Sequence, residues 1–296
     1  MKRIAFIGLG TMGSAMSANI VKGGFEVIGY DPNTAAVEQL VANGGQGAES
    51  AAEAAQGADI VITMLPVGAI VEAVLFGEKG VVETLRGNRL IIDMSSISPK
   101  ETDKIREGLN RKGLRMIDAP VGRTSHFARL GKLLIMAGGV AADIEEARPV
   151  LECMGSEIED CGGPGMGVRM KAINNLMSTA LNSLTAEVLT LAEAYGLSVD
   201  KAIEVMGGTP ASKGHMVTTY PNKVLKGDIE ADFMLDLAKK DLDLAINMAV
   251  DADVPLMTAK AAAAVYSEAQ DAGYGVKDWT ALYAMYKQRY LTGSEC

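Results

Sequence analysis

The chain has 296 residues, 48% hydrophobic and 22% charged, and its 28 Lys and Arg stand against 37 Asp and Glu for a formal net charge of −9. That length can bury one large core or two modest ones, and two domains are expected; the acidic balance argues against a binder of nucleic acid or of anionic membranes, so an anionic ligand must be met by local groups. Three cysteines without a C-x-x-C pair, and only two histidines, His126 and His215, leave little material for a metal site or a Ser-His-Asp triad.

From residue 1 to about 160, short β-branched runs alternate with Ala-rich helical stretches. The segments "RIAFIG", "FEVIGYD", "ADIVITMLP", "RLIIDMS" and "LRMIDAP" read as strands. Near-continuous apolar strands between amphipathic helices predict an α/β fold, a doubly wound parallel sheet covered on both faces. The first apolar run is cut by Gly8 and Gly10, and no 18-residue apolar span follows. With the cysteine usage, this predicts a soluble, cytoplasmic chain that does not enter a membrane.

In "IAFIGLGTMG", Gly8, Gly10 and Gly13 fall in G-x-G-x-x-G register after the first strand, with Thr11 and Met12 between the last two. Such glycines permit a tight turn and close backbone approach to a pyrophosphate on the N-terminus of the next helix. The second strand ends in Asp31, placed to accept hydrogen bonds from ribose hydroxyls. A carboxylate there repels a 2′-phosphate, and Pro32 and Asn33 bring no cation, so the expected cofactor is NAD(H) rather than its phosphorylated form. The competing account has the glycines merely turn the chain and Asp31 cap the following helix. Leu65 and Pro66 in "MLPVG", and Ser96 in "DMSSISP", stand at later strand ends; they either line the cofactor or form ordinary turns.

"DAPVGRTS", residues 118 to 125, places Arg123 in a Gly-flanked turn, where a guanidinium is either a solvated charge or a fork aimed at an anion. After "GGPGMG" at 162–167 the strand signals stop. Residues 168–194 run without proline or glycine toward Gly196 and read as one long helix; "DLAKKDLDLAINMAV" and "PLMTAKAAAAVYSEAQDA" read as further helices. The expected domains are therefore 1–163, binding NAD, and 164–296, all-helical. On the long helix Lys171, Asn174, Asn175 and Ser178 fall at i, i+3, i+4 and i+7 and share a face. One lysine with two amides and a hydroxyl makes a donor-rich cluster suited to an oxyanion, and in carbonyl reduction Lys171 can donate the proton as hydride reaches carbon. The plainer account is a solvated stripe. Residues 209–223, with Lys213, His215 and Lys223, read as a lid, a subunit contact or, the plainest account, a solvated connection between helices.

Taken jointly, "GLGTMG", "DMSSISP", "DAPV", "GGPGMGVRMKAINN" and "DLAKKDL" resemble the β-hydroxyacid dehydrogenase family, which includes 3-hydroxyisobutyrate dehydrogenase and tartronate semialdehyde reductase, over nearly the whole chain. The resemblance implies a Rossmann domain followed by an all-α domain, a catalytic Lys171, an assisting Asn175, and Lys240 near the cofactor. It also implies a homodimer or homotetramer joined through the helical domain. One departure stands out: where the family has Ser-Gly-Gly after D-x-P-V to hold a substrate carboxylate, this chain has Gly122, Arg123 and Thr124. A fixed positive fork suits a bulkier, fully ionised anion such as a sulfonate. "PVGRTS", the "PNKVLKGD" region and "FMLDLAKKDL" are similar to the branch of the family that reduces a sulfonated aldehyde with NADH. That likeness implies that Arg123, Asn174 and Ser178 hold the sulfonate and a neighbouring hydroxyl, leaving Lys171 at the carbonyl. Succinic semialdehyde and tartronate semialdehyde are the alternative small anionic substrates. A dinucleotide-binding sensor without chemistry is a further alternative, against which the retained Lys171 and Asn175 speak.

Overall fold

The structure is a computed structural model in which residues 2–215, 219–251 and 253–290 are described. Two compact units divide the chain, Met1–Leu176 and Met177–Cys296. The division falls inside the long helix, a little beyond the 163/164 boundary expected from the sequence.

Six strands of the first unit, β1 (Arg3–Ile7), β2 (Glu26–Tyr30), β3 (Gln46–Gly47), β4 (Ile60–Thr63), β5 (Leu90–Asp93) and β6 (Arg115–Asp118), pair in parallel. Their order is β3-β2-β1-β4-β5-β6. Five coincide with the apolar runs read from sequence; β3 is a two-residue edge strand without an apolar pattern. The winding reverses between β1 and β4, so the connections leaving their carboxyl ends part there and open the crevice that ligands use in such sheets.

Alternation along β1 explains why both faces are covered. Ile4 and Phe6 point to one core, which takes Met16 and Ile20 from α1 (Thr11–Lys22); Ala5 and Ile7 point to the other, which takes Val71 and Leu75 from α4 (Gly68–Phe76) and Ile105 and Leu109 from α5 (Pro99–Asn110). Each fully buried aliphatic side chain contributes about 1.5–3 kcal/mol relative to exposure. Between α1 and α4 lie α2 (Thr34–Ala42) and α3 (Ala51–Ala55). Helix α5 starts with a reciprocal capping box, Ser98 with Glu101, and Pro99 in the first turn.

A second, three-stranded sheet lies outside the sequence expectation. In it β7 (Val121–Gly122) pairs antiparallel with β8 (Leu133–Ala137), which pairs parallel with β9 (Gly155–Asp160). Helix α6 (Ser125–Arg129) follows β7, and α7 (Ala141–Met154) crosses from β8 to β9. The "GSEIED" of β9 is polar and largely exposed, which suits an edge strand but gives no apolar run to read.

Helix α8 (Met166–Ala194) is the long helix expected from residue 168, with Gly196 in the left-handed region (φ +77°) just past its end. The second unit continues with α9 (Val199–Gly207), α10 (Pro210–Lys213), α11 (Leu235–Asp251), α12 (Met257–Asp271) and α13 (Leu282–Tyr290), and its described residues contain no strand beyond one isolated bridge. Together these units give the expected architecture, a Rossmann-type sheet followed by a helical region. Among the described residues no helix is long and apolar enough to cross a membrane.

Candidate active site

The glycine loop sits at the switch point between β1 and β4. Gly8 has φ +96°, and a Cβ there would lie 2.3 Å from the Met64 carbonyl oxygen; one on Gly13 would lie 1.9 Å from the Gly8 carbonyl oxygen. Those two glycines are demanded by the fold itself. Gly10 is different, because a Cβ on it would meet nothing within 4 Å. It is also the N-cap of α1, with no side-chain cap and no acidic residue in the first turn. An uncapped helix start behind an open, side-chain-free position is what an incoming pyrophosphate needs, so Gly10, Thr11, Met12 and Gly13 fit the dinucleotide.

Asp31, one residue past β2, accepts from the Leu9 amide at 2.8 Å and from the Asn33 amide at 2.8 Å. The cap of α2 is Asn33, whose side chain accepts from the Ala35 amide. Asp31 is thus free of helix-capping duty, is tied to the glycine loop, and keeps acceptor capacity on both oxygens for ribose hydroxyls.

At the ends of β4 and β5, buried Asp93 accepts from the Thr63 hydroxyl at 2.8 Å and the Ser95 amide, while the Ser95 hydroxyl accepts from the Leu65 amide at 2.9 Å. Burial pushes the Asp93 carboxyl up to about 6. This network fixes Leu65, whose side chain packs against Gly8. Pro66 and Ser96 are exposed on the turns beyond. Sequence reading selected Ser96 and missed Ser95 and Asp93; a carboxylate closing the apolar "LIID" was the available signal.

The start of α8 is held by a second missed carboxylate. Asp118, the last residue of β6 and the register partner of Asp93, accepts from the Gly165 and Val168 amides, each at 2.7 Å. Its burial outweighs these donors and holds its carboxyl above the usual range. A Cβ on Gly167 would lie 2.3 Å from the Met136 carbonyl oxygen and 2.6 Å from that of Asp118, so this last glycine of "GGPGMG" serves close packing of the helix start on β6 and β8. Arg169 adds a tether to Asp103 on α5 at 2.7 Å.

One turn on from Val168, Lys171 is half-buried, and that burial lowers its ammonium below the ordinary lysine value. Asn174 and Asn175 follow on the same helix face, their amides 3.4 Å apart, and all of Asn174, Asn175 and Ser178 are exposed. Lys240 lies on α11, and its side chain falls outside the described residues.

Arg123 occupies an unusual position. It follows Gly122 of β7 with φ +73°, and its guanidinium turns back across the small sheet. There Nη1 donates to the Lys132 carbonyl at 2.7 Å and to the Ser156 hydroxyl at 3.3 Å, and Nη2 donates to Glu157. The fork is therefore occupied by an internal carboxylate. Thr124 starts α6 without a side-chain cap.

A doubly wound sheet with its glycine loop at the switch point and an acid at the end of β2, followed by helices, defines a dinucleotide-binding protein of the Rossmann class. A family model described as the NAD binding domain of 6-phosphogluconate dehydrogenase matches residues 3–163, and one described as NAD-binding of NADP-dependent 3-hydroxyisobutyrate dehydrogenase matches residues 165–286. The chain is 50% identical to 3-sulfolactaldehyde reductase of Escherichia coli (strain K12), over 95% of each chain. It is 39% identical to 3-hydroxyisobutyrate dehydrogenase of Pseudomonas aeruginosa, covering 86% of this chain and 89% of the relative. The solved structure of Mycobacterium tuberculosis 3-hydroxyisobutyrate dehydrogenase with L-serine aligns at a TM-score of 0.68 and 33% identity, over 97% of this chain and 99% of that one. The chain belongs to the 3-hydroxyisobutyrate dehydrogenase (β-hydroxyacid dehydrogenase) family, oxidoreductases that act on CH–OH groups with NAD.

Proposed function

We propose that this protein reduces 3-sulfolactaldehyde to 2,3-dihydroxypropane-1-sulfonate at the expense of NADH, as a cytoplasmic homodimer or homotetramer serving sulfosugar breakdown. The observation that carries the reading is the 50% identity along 95% of the chain to a 3-sulfolactaldehyde reductase. Arg123, in the loop where the family resemblance places the substrate anion, supports it.

In this reading a nicotinamide held by these residues would supply the hydride for carbonyl reduction. The Lys171 ammonium donates its proton to the carbonyl oxygen as alkoxide character develops, and its lowered pKa makes it the better donor. Asn175 hydrogen-bonds the same oxygen and orients it. Arg123, with Gly122 and Thr124 beside it, holds the sulfonate together with Asn174 and Ser178. The dinucleotide is held by the loop from Gly8 to Gly13, by Asp31, and by Leu65, Pro66, Ser96 and Lys240. Replacing Asp31 by alanine should lower the ratio of kcat/KM with NADH to that with NADPH by about tenfold or more, the worth of one charged hydrogen bond; an unchanged ratio would remove Asp31 from the ribose.

A second reading, a carboxylate-bearing semialdehyde as substrate, is favoured by the 39% identity to a 3-hydroxyisobutyrate dehydrogenase. NADH oxidation followed with 3-sulfolactaldehyde, succinic semialdehyde and tartronate semialdehyde at equal concentrations separates the two. The sulfonate should have the highest kcat/KM. In the same assay Arg123→Ala should raise KM for 3-sulfolactaldehyde about ten- to a hundredfold while a neutral aldehyde such as glyceraldehyde changes little. Equal losses for both would make Arg123 a structural residue.

A further inference from the structure

The partner that Arg123 already has bears on how tightly an anion can bind, on the reading that Arg123 holds the anionic end of the substrate. We propose that Glu157 is a specificity-determining residue, an internal carboxylate that occupies the Arg123 fork and is displaced by the substrate's anion.

The register of the small sheet sets up the contact. Gly122 of β7 pairs with Leu134 of β8, and Leu134 pairs with Glu157 of β9, so the three residues form one row across the strands. Arg123 follows directly on that row. Its left-handed backbone, φ +73°, is a conformation that a bulky side chain seldom takes. From there the side chain passes within 5.6 Å of the Phe127 ring centroid, and Nη2 reaches Glu157 Oε1 while Nη1 donates to the Lys132 carbonyl and the Ser156 hydroxyl.

Two properties make this pair exchangeable rather than permanent. First, it faces solvent: the side chains of Arg123 and Glu157 are 29% and 48% exposed, and screened pairs of this kind hold weakly. Second, a sulfonate offers the guanidinium the same kind of oxygen acceptors that Glu157 offers. Substitution of one anion for the other leaves the fork satisfied, and the five N–H donors leave others for the Lys132 carbonyl. A neutral substrate end cannot make that exchange. Glu157 therefore reduces the apparent affinity for every anionic substrate by the fraction of Arg123 it occupies, and leaves neutral aldehydes untouched.

The test is Glu157→Gln, which keeps size and an oxygen acceptor but removes the competing charge at an exposed position of an edge strand. KM and kcat are measured with NADH against 3-sulfolactaldehyde and against glyceraldehyde, in the parent, in Glu157→Gln, in Arg123→Ala and in the double variant. KM for 3-sulfolactaldehyde should fall about two- to fivefold in Glu157→Gln, the range a solvent-exposed ion pair can supply, with kcat and the glyceraldehyde values unchanged. In the Arg123→Ala background the same substitution should have no effect. A KM for 3-sulfolactaldehyde that is unchanged or raised in Glu157→Gln, or a fall that persists without Arg123, overturns the role of Glu157 alone. If Arg123→Ala leaves the KM for 3-sulfolactaldehyde where it was, the reading of Arg123 as anion holder fails, and the role of Glu157 fails with it.

Discussion

Replacing Lys171 by alanine should lower kcat for aldehyde reduction by about a thousandfold, within the span of about 10²–10⁴ that a positioned proton donor contributes, while NADH still binds. The geometry behind this number is a half-buried ammonium on α8, one turn beyond an anchored helix start, with two amides following on the same face. Its pH profile has a definite sign. Burial lowers the Lys171 pKa from 10.5, so reduction, which uses the ammonium, should decline as pH rises through a midpoint below 10.5. Oxidation of the alcohol uses the free amine and should rise over the same interval. Steady-state rates in both directions from pH 7 to 10, with NADH binding followed by fluorescence, check all three statements. Unaltered turnover in Lys171→Ala would move the acid elsewhere.

Asp118 carries the second large effect, on stability as well as rate. Its carboxylate is the acceptor for the buried amides of Gly165 and Val168. Alanine at this position leaves those donors without a partner, and each lost charged hydrogen bond is worth about 1.5–3 kcal/mol. The protein is at the same time relieved of a carboxylate whose burial already opposes its ionisation, which offsets part of the loss. A net destabilisation of about 2–3 kcal/mol is expected, seen as a lower midpoint of thermal or urea unfolding. Asparagine retains one acceptor oxygen but turns an NH₂ toward the other amide, so it should recover only part of the stability. Because the frayed end of α8 lies one turn before Lys171, kcat should fall in both variants more than KM rises. A parent-like midpoint in Asp118→Ala would mean that the helix start is held by its packing on β6 and β8 instead.

The large sheet was legible because its strands are apolar on both faces: "IAFI", "IVIT" and "LIID" are short and rich in isoleucine and valine, and they alternate with helical stretches as a doubly covered parallel sheet requires. The small sheet was not, for a different reason in each strand. Gly122 lies in a two-residue strand, Leu133–Ala137 is a short apolar run between glycines, and Glu157 belongs to a polar edge that pairs on one side only. The site divided in the same way. Residues whose role follows from local spacing, such as Gly8 and Gly13 or the face from Lys171 to Asn175, could be picked out along the chain. Asp93 and Asp118 show only as carboxylates closing apolar strands, and what gives them weight, a hydroxyl or amide 30 or more residues away, is not local. Arg123 was singled out for its charge, but its present partner, Glu157, is 34 residues downstream and joined only through the register of β8.

The three glycines of the fingerprint loop answer to two different masters. Gly8 and Gly13 are enforced by the chain, since side chains there would run into Met64 and into Gly8 itself, whereas Gly10 faces empty space and is enforced only by what comes to lie against it. Over evolutionary time these positions would drift apart. A descendant that gave up the dinucleotide would be at liberty to acquire a side chain at the middle glycine while the outer two stayed, and its sheet would look no different. The identity of that one residue is therefore the place in the sequence where an inherited scaffold and a retained occupation can be told apart.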